Sequence, residues 1–514
     1  MVDLLIVLGY FAIVMIAAVS GKQKKDVTSE EYFLSSRSLK WPSIAFSTIA
    51  TNIQGYQFLG MMGSAYLYGI AQASLEINAI QGILLAAFIF VPYYLKDKIV
   101  TITQFIRLRL GKKVALAYSL SNILLFSTIT IGAALFWGAY AADIVFGDYL
   151  ALINEDRMTR IIILIVVLGV FSGIYTYLGG LTAVVRTDIV QFIILLTGGL
   201  VVMFMAIYHL GGWEQLYIKT PDMMHLHLSA DHEKLPWTHI FGLFLLNINY
   251  WCANQSVVQR SLAAKNLKHA QIGLMVGGLM KYVMAVIIVV PGIALVGILG
   301  KNGLSDPDMA FPYLVNTYLP LGAKGLVLCA LFASLMSTVD STFNSLSTLW
   351  SIDIYKEYLK KDATDAEMVN AAKRAIIFGL ASGVTIGIVF LYLKFSNPDA
   401  AFTHTLNELR YYINCGIVVL ICAAVFLVAP NHKITLITFF LTAVLQIALK
   451  SFFPDMNYFV RAMWVIVIGF ISVLLLSKTK FSNLRALFHP ASPKISKMGL
   501  GLLLSLVLLH VIFH

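Results

Sequence analysis

Apolar residues run along this chain in long blocks, not in the short alternations of a soluble domain. Leu4–Val19, Ile161–Leu178 and Tyr458–Leu476 are examples. A helix needs roughly 20 residues to cross a ~30 Å hydrocarbon core, and the blocks fit that length. They lie near 3–20, 42–64, 72–95, 114–146, 160–178, 187–210, 237–257, 272–299, 323–352, 371–394, 408–429, 433–450, 458–476 and 497–513. The pattern predicts an all-α polytopic membrane protein with about fourteen transmembrane helices. Composition agrees: 59% of the residues are hydrophobic, 12% are charged and mean hydropathy is +0.82. So little polar material cannot coat a soluble domain of 514 residues. The loops leave no room for a soluble catalytic domain, and an enzyme is not expected.

The net charge of +11 would suggest a nucleic-acid partner until the charges are placed. Most basic residues fall in alternate loops: Lys22 to Lys40, Lys96 to Lys113, Arg260 to Lys268, Lys356 to Arg374 and Lys478 to Lys497. Loops of the other parity, such as 147–159 and 211–237, are poor in them. The positive-inside rule makes the basic loops cytoplasmic and both termini external. The basicity records topology, and no nucleic-acid partner is implied. The first span has Val2 and Asp3 ahead of it and its positive charges after it, which reads as an N-out anchor and not a cleaved signal. Cys252, Cys329, Cys415 and Cys422 lie inside predicted helices without metal-ligand spacing and are expected to be free thiols.

Three spans are interrupted by polar residues. The first interruption runs from Ser47 to Gln57, the second from Asn247 to Gln255, and the third from Ser334 to Ser341. Unwound backbone cannot face lipid, so such interruptions imply a lined cavity. Paired broken segments near the midplane are how secondary transporters build solute and ion sites. The plainer alternative is that the hydroxyls bond to their own helices and help them pack. In the third span Ser334, Ser337, Thr338 and Ser341 recur at three- and four-residue steps, which puts them on one helix face. A stripe of oxygen donors beside freed carbonyls suits a hard cation such as sodium.

Ionisable residues within spans are functional candidates by default. Glu76 and Lys281 are two of them, although Glu76 sits near an outer helix end where a solvated carboxylate is the alternative. Asp188 stands beside Arg186, and an interfacial ion pair competes with a functional role. Asp340 sits within the hydroxyl stripe and has no such partner in sequence. Tyr250 and Trp251 lie next to Asn247 and Asn249. Such a pair is often an interfacial belt. At mid-span, with amides on both sides, it suits a polyol whose CH face stacks while its hydroxyls find polar atoms.

With these residues in view, the chain resembles the sodium/solute symporter family, closest to its sodium/glucose cotransporter branch. The likeness covers roughly residues 20–430 and is carried by the segments Glu31 to Leu39, Tyr177 to Gln191, Asn249-Tyr250-Trp251, Asn254-Gln255, Gln259-Arg260 and Asp353 to Lys356. It implies a LeuT-type core of ten helices in a 5+5 inverted repeat at 40–430, an extra helix at 1–22 and three following helices at 431–514. It implies a coupling sodium ion held by Ala50, Ile53, Ser334, Ser337 and Thr338, with Asp188, Asp340 and Ser341 as a candidate second cation site. By the same likeness Gln57, Glu76, Asn247, Tyr250, Trp251, Lys281 and Asn407 would bind the solute. Leu75, Ala79 and Thr130 depart from the glucose-branch pattern, as does Asn407, where glutamine is commoner.

The expected function is therefore sodium-coupled uptake of a small polar solute, a sugar or polyol, by alternating access in a plasma membrane, the compact loops leaning towards a bacterial inner membrane. A symporter for an amino acid, sialic acid or other carboxylate is the first alternative, and a symporter-like membrane sensor the second.

Overall fold

The computed structural model describes residues 2–20, 27–54, 57–396 and 402–514, apart from the side chains at 402–405 and 407. The described residues are helical throughout, with three isolated β-bridges in the loops. This is what a bilayer demands, because a helix satisfies its own peptide groups where no water can. Among the described residues, eleven helical runs are long and apolar enough to cross a membrane, against the fourteen apolar blocks of the sequence. The two numbers differ because helices join and break where hydropathy does not register it. Arg157–Leu210 runs on as two helices that meet at a kink, with non-helical backbone at Gly180 (φ 53°, ψ −144°). Two other blocks are broken into pieces too short to span alone.

Gly180 shows why the chain turns where it does. A Cβ at this position would run into the carbonyl of Tyr32 and lie 3.0 Å from its ring. The Tyr32 hydroxyl donates to the carbonyls of Thr176 and Tyr177 at 3.3 and 3.2 Å. The segments around Tyr32 and Tyr177 therefore pack on each other, and a glycine is needed for both its φ and its lack of a side chain.

At the centre lies Ala323–Thr348, in which every residue from Val327 onward is buried, with the burial continuing to Leu349. Helices Val2–Val19 and Pro493–Ile512 sit at the periphery with most of their apolar side chains exposed, as lipid-facing spans should be. The four cysteines are buried and free.

The two broken spans pass close to this centre. The first runs as Trp41–Asn52, then Ile53 in extended backbone (φ −86°, ψ 116°), then a π-turn at Gln57–Met61 and helix Met62–Tyr68. The second runs as His239–Ile248, a π-turn at Asn249–Ala253, extended Asn254 (φ −79°, ψ 116°) and helix Gln255–Leu262. Neighbours take up the peptide groups the second break frees. Tyr94 and Tyr118 donate their hydroxyls to the carbonyls of Cys252 and Ala253 at 2.8 and 2.5 Å.

Candidate solute and cation site

Both breaks open onto one cavity of about 540 Å³, within the size range of small-molecule sites. Six of the solute residues expected from sequence line it: Gln57, Glu76, Asn247, Tyr250, Trp251 and Lys281. The seventh, Asn407, has its side chain outside the described residues.

Glu76 is buried and is not the solvated carboxylate that its place in the sequence allowed. Lys281, also buried, pairs with Glu76 Oε2 and donates to Asn52 Oδ1, the last residue before the first break. Gln57 Nε2 donates to Glu76 Oε1 at 2.8 Å, and Gln57 Oε1 accepts from the Gln54 N–H at 2.7 Å. A charged pair 205 positions apart in sequence thus ties three helices to one side of the cavity.

The pair keeps hydrogen-bonding capacity in hand. Lys281 has three N–H donors, of which two are used, and each carboxylate oxygen of Glu76 retains a lone pair. A hydroxyl that both donates and accepts can therefore bridge acid and lysine without parting them.

The aromatic wall is set by close helix packing. Gly82 lets its helix approach so nearly that a Cβ would sit 2.8 Å from both the Asn247 carbonyl and the Trp251 ring. Tyr250 and Trp251 meet edge to face, with centroids 5.2 Å apart at 73°. Asn247 Nδ2 donates to the Asn78 carbonyl at 3.2 Å, which leaves its side-chain oxygen for another partner. Leu75, Ala79 and Thr130, which depart from the glucose-branch pattern, also line the cavity.

The expected cation ligands divide between the first break and the central helix. In a continuous helix the Gln54 N–H would donate to the Ala50 carbonyl, but here it goes to Gln57. Ala50 and Ile53 are buried. On the facing helix the hydroxyl protons are spoken for: Thr338 Oγ1 donates to the Ser334 carbonyl at 3.1 Å, and Ser337 Oγ donates to Asp188 Oδ1 at 2.5 Å. A hydroxyl whose proton is committed can offer its lone pairs to a cation. The set is all oxygen and fits a hard ion such as sodium. Thr338 lines the solute cavity as well.

Asp188, Asp340 and Ser341 also come together, in company the sequence did not reveal. Asp188 does not pair with Arg186, which donates instead to the Ser20 carbonyl. Its partner is Arg260, whose Nη2 lies 3.0 Å from Asp188 Oδ2 with both side chains wholly buried. Ser47 Oγ donates to that same oxygen at 2.5 Å. Arg260 also donates to Ser341 Oγ. Asp340 accepts from the Tyr175 hydroxyl at 2.6 Å and from Ser341 Oγ at 3.2 Å. Asp188 thus holds the guanidinium directly and Asp340 is joined to it through Ser341, which leaves an oxygen-rich cluster with an excess of negative charge when both acids are ionised. Arg260 and Tyr175 were missed by sequence reasoning. The available signal was Arg260's setting between Val257, Val258 and Leu262, on a short helix whose eight residues are all buried.

The site's relatives point the same way as its chemistry. A sequence model described as the sodium:solute symporter family matches residues 32–427. A sodium/glucose cotransporter of Vibrio parahaemolyticus is 30% identical over 409 residues, 74% of this chain and 73% of that one. Sodium/glucose cotransporter 4 of Mus musculus is 30% identical over 466 residues, 84% of this chain and 66% of that one. A solved structure of a Na+-coupled sialic acid symporter, substrate-bound and outward-open, superposes with a TM-score of 0.80 at 20% identity. That superposition covers 96% of this chain and 99% of the other, and it shows the LeuT-type fold expected from sequence.

Proposed function

The chain belongs to the sodium:solute symporter family, a multi-pass, sodium-coupled carrier and not an enzyme, and from that premise we propose that its solute is a sugar or polyol. The observation that carries this reading is the Glu76–Lys281 pair, which faces the cavity with spare donor and acceptor capacity beside Gln57, Asn247 and Tyr250. An array that can both donate to and accept from hydroxyls, with an aromatic ring for the apolar face, matches a polyhydroxylated solute. Two of the relatives named above are sodium/glucose cotransporters. The departures from the glucose-branch pattern at Leu75, Ala79 and Thr130, all on the cavity lining, argue for a solute other than glucose itself.

In this reading sodium binds at Ala50, Ile53, Ser334, Ser337 and Thr338 and orders the first break. The ordered break completes the solute pocket, with Gln57, Glu76, Asn247, Tyr250, Trp251, Lys281 and Asn407 as its binding residues. Asp188, Asp340 and Ser341 form the candidate second cation site. Coupling requires only that sodium and solute favour the same conformation, with a reciprocal energy of ~1–3 kcal/mol. The membrane potential adds roughly 2.3 kcal/mol per charge per 100 mV. The transport core is assigned to 40–430, with 1–22 and 431–514 flanking it. The basic loops face the cytoplasm and both termini face outward, in a membrane we take to be a bacterial inner membrane.

A carboxylate solute is the second reading. It is favoured by the cations Lys234, Lys394 and Arg410 on the cavity lining and opposed by Glu76 beside the same space. A thermal-shift screen of sugars, polyols, amino acids and sialic acids, each with and without sodium, decides between them. A true solute at about 100 times its Kd stabilises the fold by about 2.7 kcal/mol. A sugar or polyol should do so only with sodium present. Sodium-dependent stabilisation by a carboxylate alone would overturn the proposal.

A further inference from the structure

A second cavity of about 810 Å³ lies away from the solute site, between Lys112–Leu125, the end of the central helix at Leu349–Leu359 and the helix Asp365–Ser396. Its walls change character along its length. Leu120, Leu124, Leu346 and Phe378 make one end apolar, and Asn370 and Arg374 stand at the other. Leu120, Leu124, Leu359 and Phe378 are exposed, so the groove is open on its outer side.

The depth of this groove follows from the chain. Residues 375–393 carry no charge, and at 1.5 Å per residue these 19 positions span about 28 Å, close to the ~30 Å of a hydrocarbon core. Arg374 therefore marks the polar boundary and Phe378 sits one turn inside it. The open side of the apolar end faces acyl chains, not water.

The charge left without an ion-pair partner on the groove's lining is positive. Glu367, the acid on the lining, is held by Lys360 and by the Thr364 N–H at 3.0 Å. Among the described residues no ion pair engages Arg374, which is exposed. Lys373 lies over the Tyr177 ring at 4.9 Å, and Lys356 and Lys361 at the same helix end are interleaved with Glu357, Asp362 and Asp365.

We propose that this groove is a binding site for an anionic phospholipid, with its phosphate at Arg374 and an acyl chain between Leu120, Leu124 and Phe378. The lipid braces the end of the central helix. That helix carries the hydroxyl stripe, and its last eleven residues are wound as a π-helix. The proposal does not depend on which solute is carried.

Trp350 lines the groove and reports on its occupant. The full chain is reconstituted with brominated phosphatidylglycerol or brominated phosphatidylcholine, and the Trp350 share of quenching is taken as the difference between the wild type and Trp350→Phe. That share should be larger for the anionic lipid. Arg374→Gln should lower the preference about fivefold, the size expected for one basic residue at an anionic surface. Thermal unfolding of both variants checks that they fold as the wild type does. Equal quenching of wild-type Trp350 by the two lipids, or an undiminished preference in a folded Arg374→Gln variant, would overturn the site. Should Arg374→Gln fail to fold, Asn370→Glu, which sets a carboxylate at the same end, carries the test. A lost anionic preference supports the site and a retained one refutes it.

Discussion

Replacing Lys281 with methionine tests the centre of the solute site most directly. The change keeps a long apolar stem but removes the charge that faces Glu76 Oε2 and Asn52 Oδ1. Glu76 is then left buried with Gln57 as its remaining named partner. Breaking a buried pair from one side costs ~3–5 kcal/mol, because the surviving charge is stranded. The double change Glu76→Gln/Lys281→Met removes both charges and should recover most of that loss. Solute recognition should behave differently. A charge-assisted hydrogen bond is worth ~1.5–3 kcal/mol, so the KM for uptake should rise about 10- to 150-fold in the single variant and stay high in the double one. Thermal unfolding in detergent reads the first quantity, and sodium-driven uptake into proteoliposomes reads the second. Two results would refute the reasoning: a double variant no more stable than the single one, or uptake with an unchanged KM in either.

Ser337→Ala and Thr338→Ala should each raise the sodium concentration for half-maximal uptake, about 5- to 30-fold for a hydroxyl worth ~1–2 kcal/mol; identical sodium curves would sink the ligand assignment. Gly180→Ala should lose about 1–3 kcal/mol from backbone strain alone and more from the approach of Tyr32, so an unchanged unfolding midpoint would mean that the turn at Gly180 is not as described. His227 shares a 2.9 Å hydrogen bond with His510, and burial, helped by His514, holds the His227 ring below the usual histidine range. A lowered pKa means that the unfolded chain binds the proton more readily, so His227's contribution to stability is present above about pH 6.5 and is lost as pH falls below it. His227→Gln should flatten thermal stability between pH 7.5 and 5, and an unaltered pH profile would rule His227 out as its source.

Much of the site was legible in the sequence, and its limits have physical causes. Glu76 and Lys281 stood out because charge inside an apolar span is costly. Hydropathy cannot say that the two meet, since nothing local relates residues 205 positions apart. The hydroxyl stripe was visible because helical period fixes which residues share a face. Period is silent about the neighbour, however, and Ser337 proved to donate its hydroxyl to Asp188. Arg260 was read as one more basic loop residue, since Lys265 and Lys268 follow it. Its burial against Asp188 depends on where the short helix Gln255–Leu262 docks. The break near Gly180 falls between the apolar blocks 160–178 and 187–210, although the positive φ that makes the turn leaves no trace in hydropathy.

The parts that were legible separately gain their meaning from one contact that was not. Thr51 Oγ1 and Ser341 Oγ lie 2.9 Å apart, joining the first broken span to the stripe-bearing helix. Thr51 and Thr338 line the same cavity as Gln57 and Glu76. A cation drawn to the stripe must therefore pull on the segment that positions Gln57, and Gln57 is bonded to Glu76. On the proposed sites, the route from ion to solute runs through Thr338 and Ser341, the break at Ile53, Gln57, and the Glu76–Lys281 pair. Because linkage is reciprocal, solute held at Glu76 must tighten sodium by the same factor that sodium tightens solute. A Gln57→Ala variant removes the middle of that route while leaving the sodium ligands and the ion pair in place. It should bind solute in sodium-free medium more weakly, and sodium somewhat more weakly too, because Gln57 Oε1 also keeps the Gln54 N–H from the Ala50 carbonyl. The sodium-induced gain in solute affinity should shrink towards one. If that gain survives at full size in Gln57→Ala, coupling runs through the backbone of the break alone, and the side-chain route is wrong.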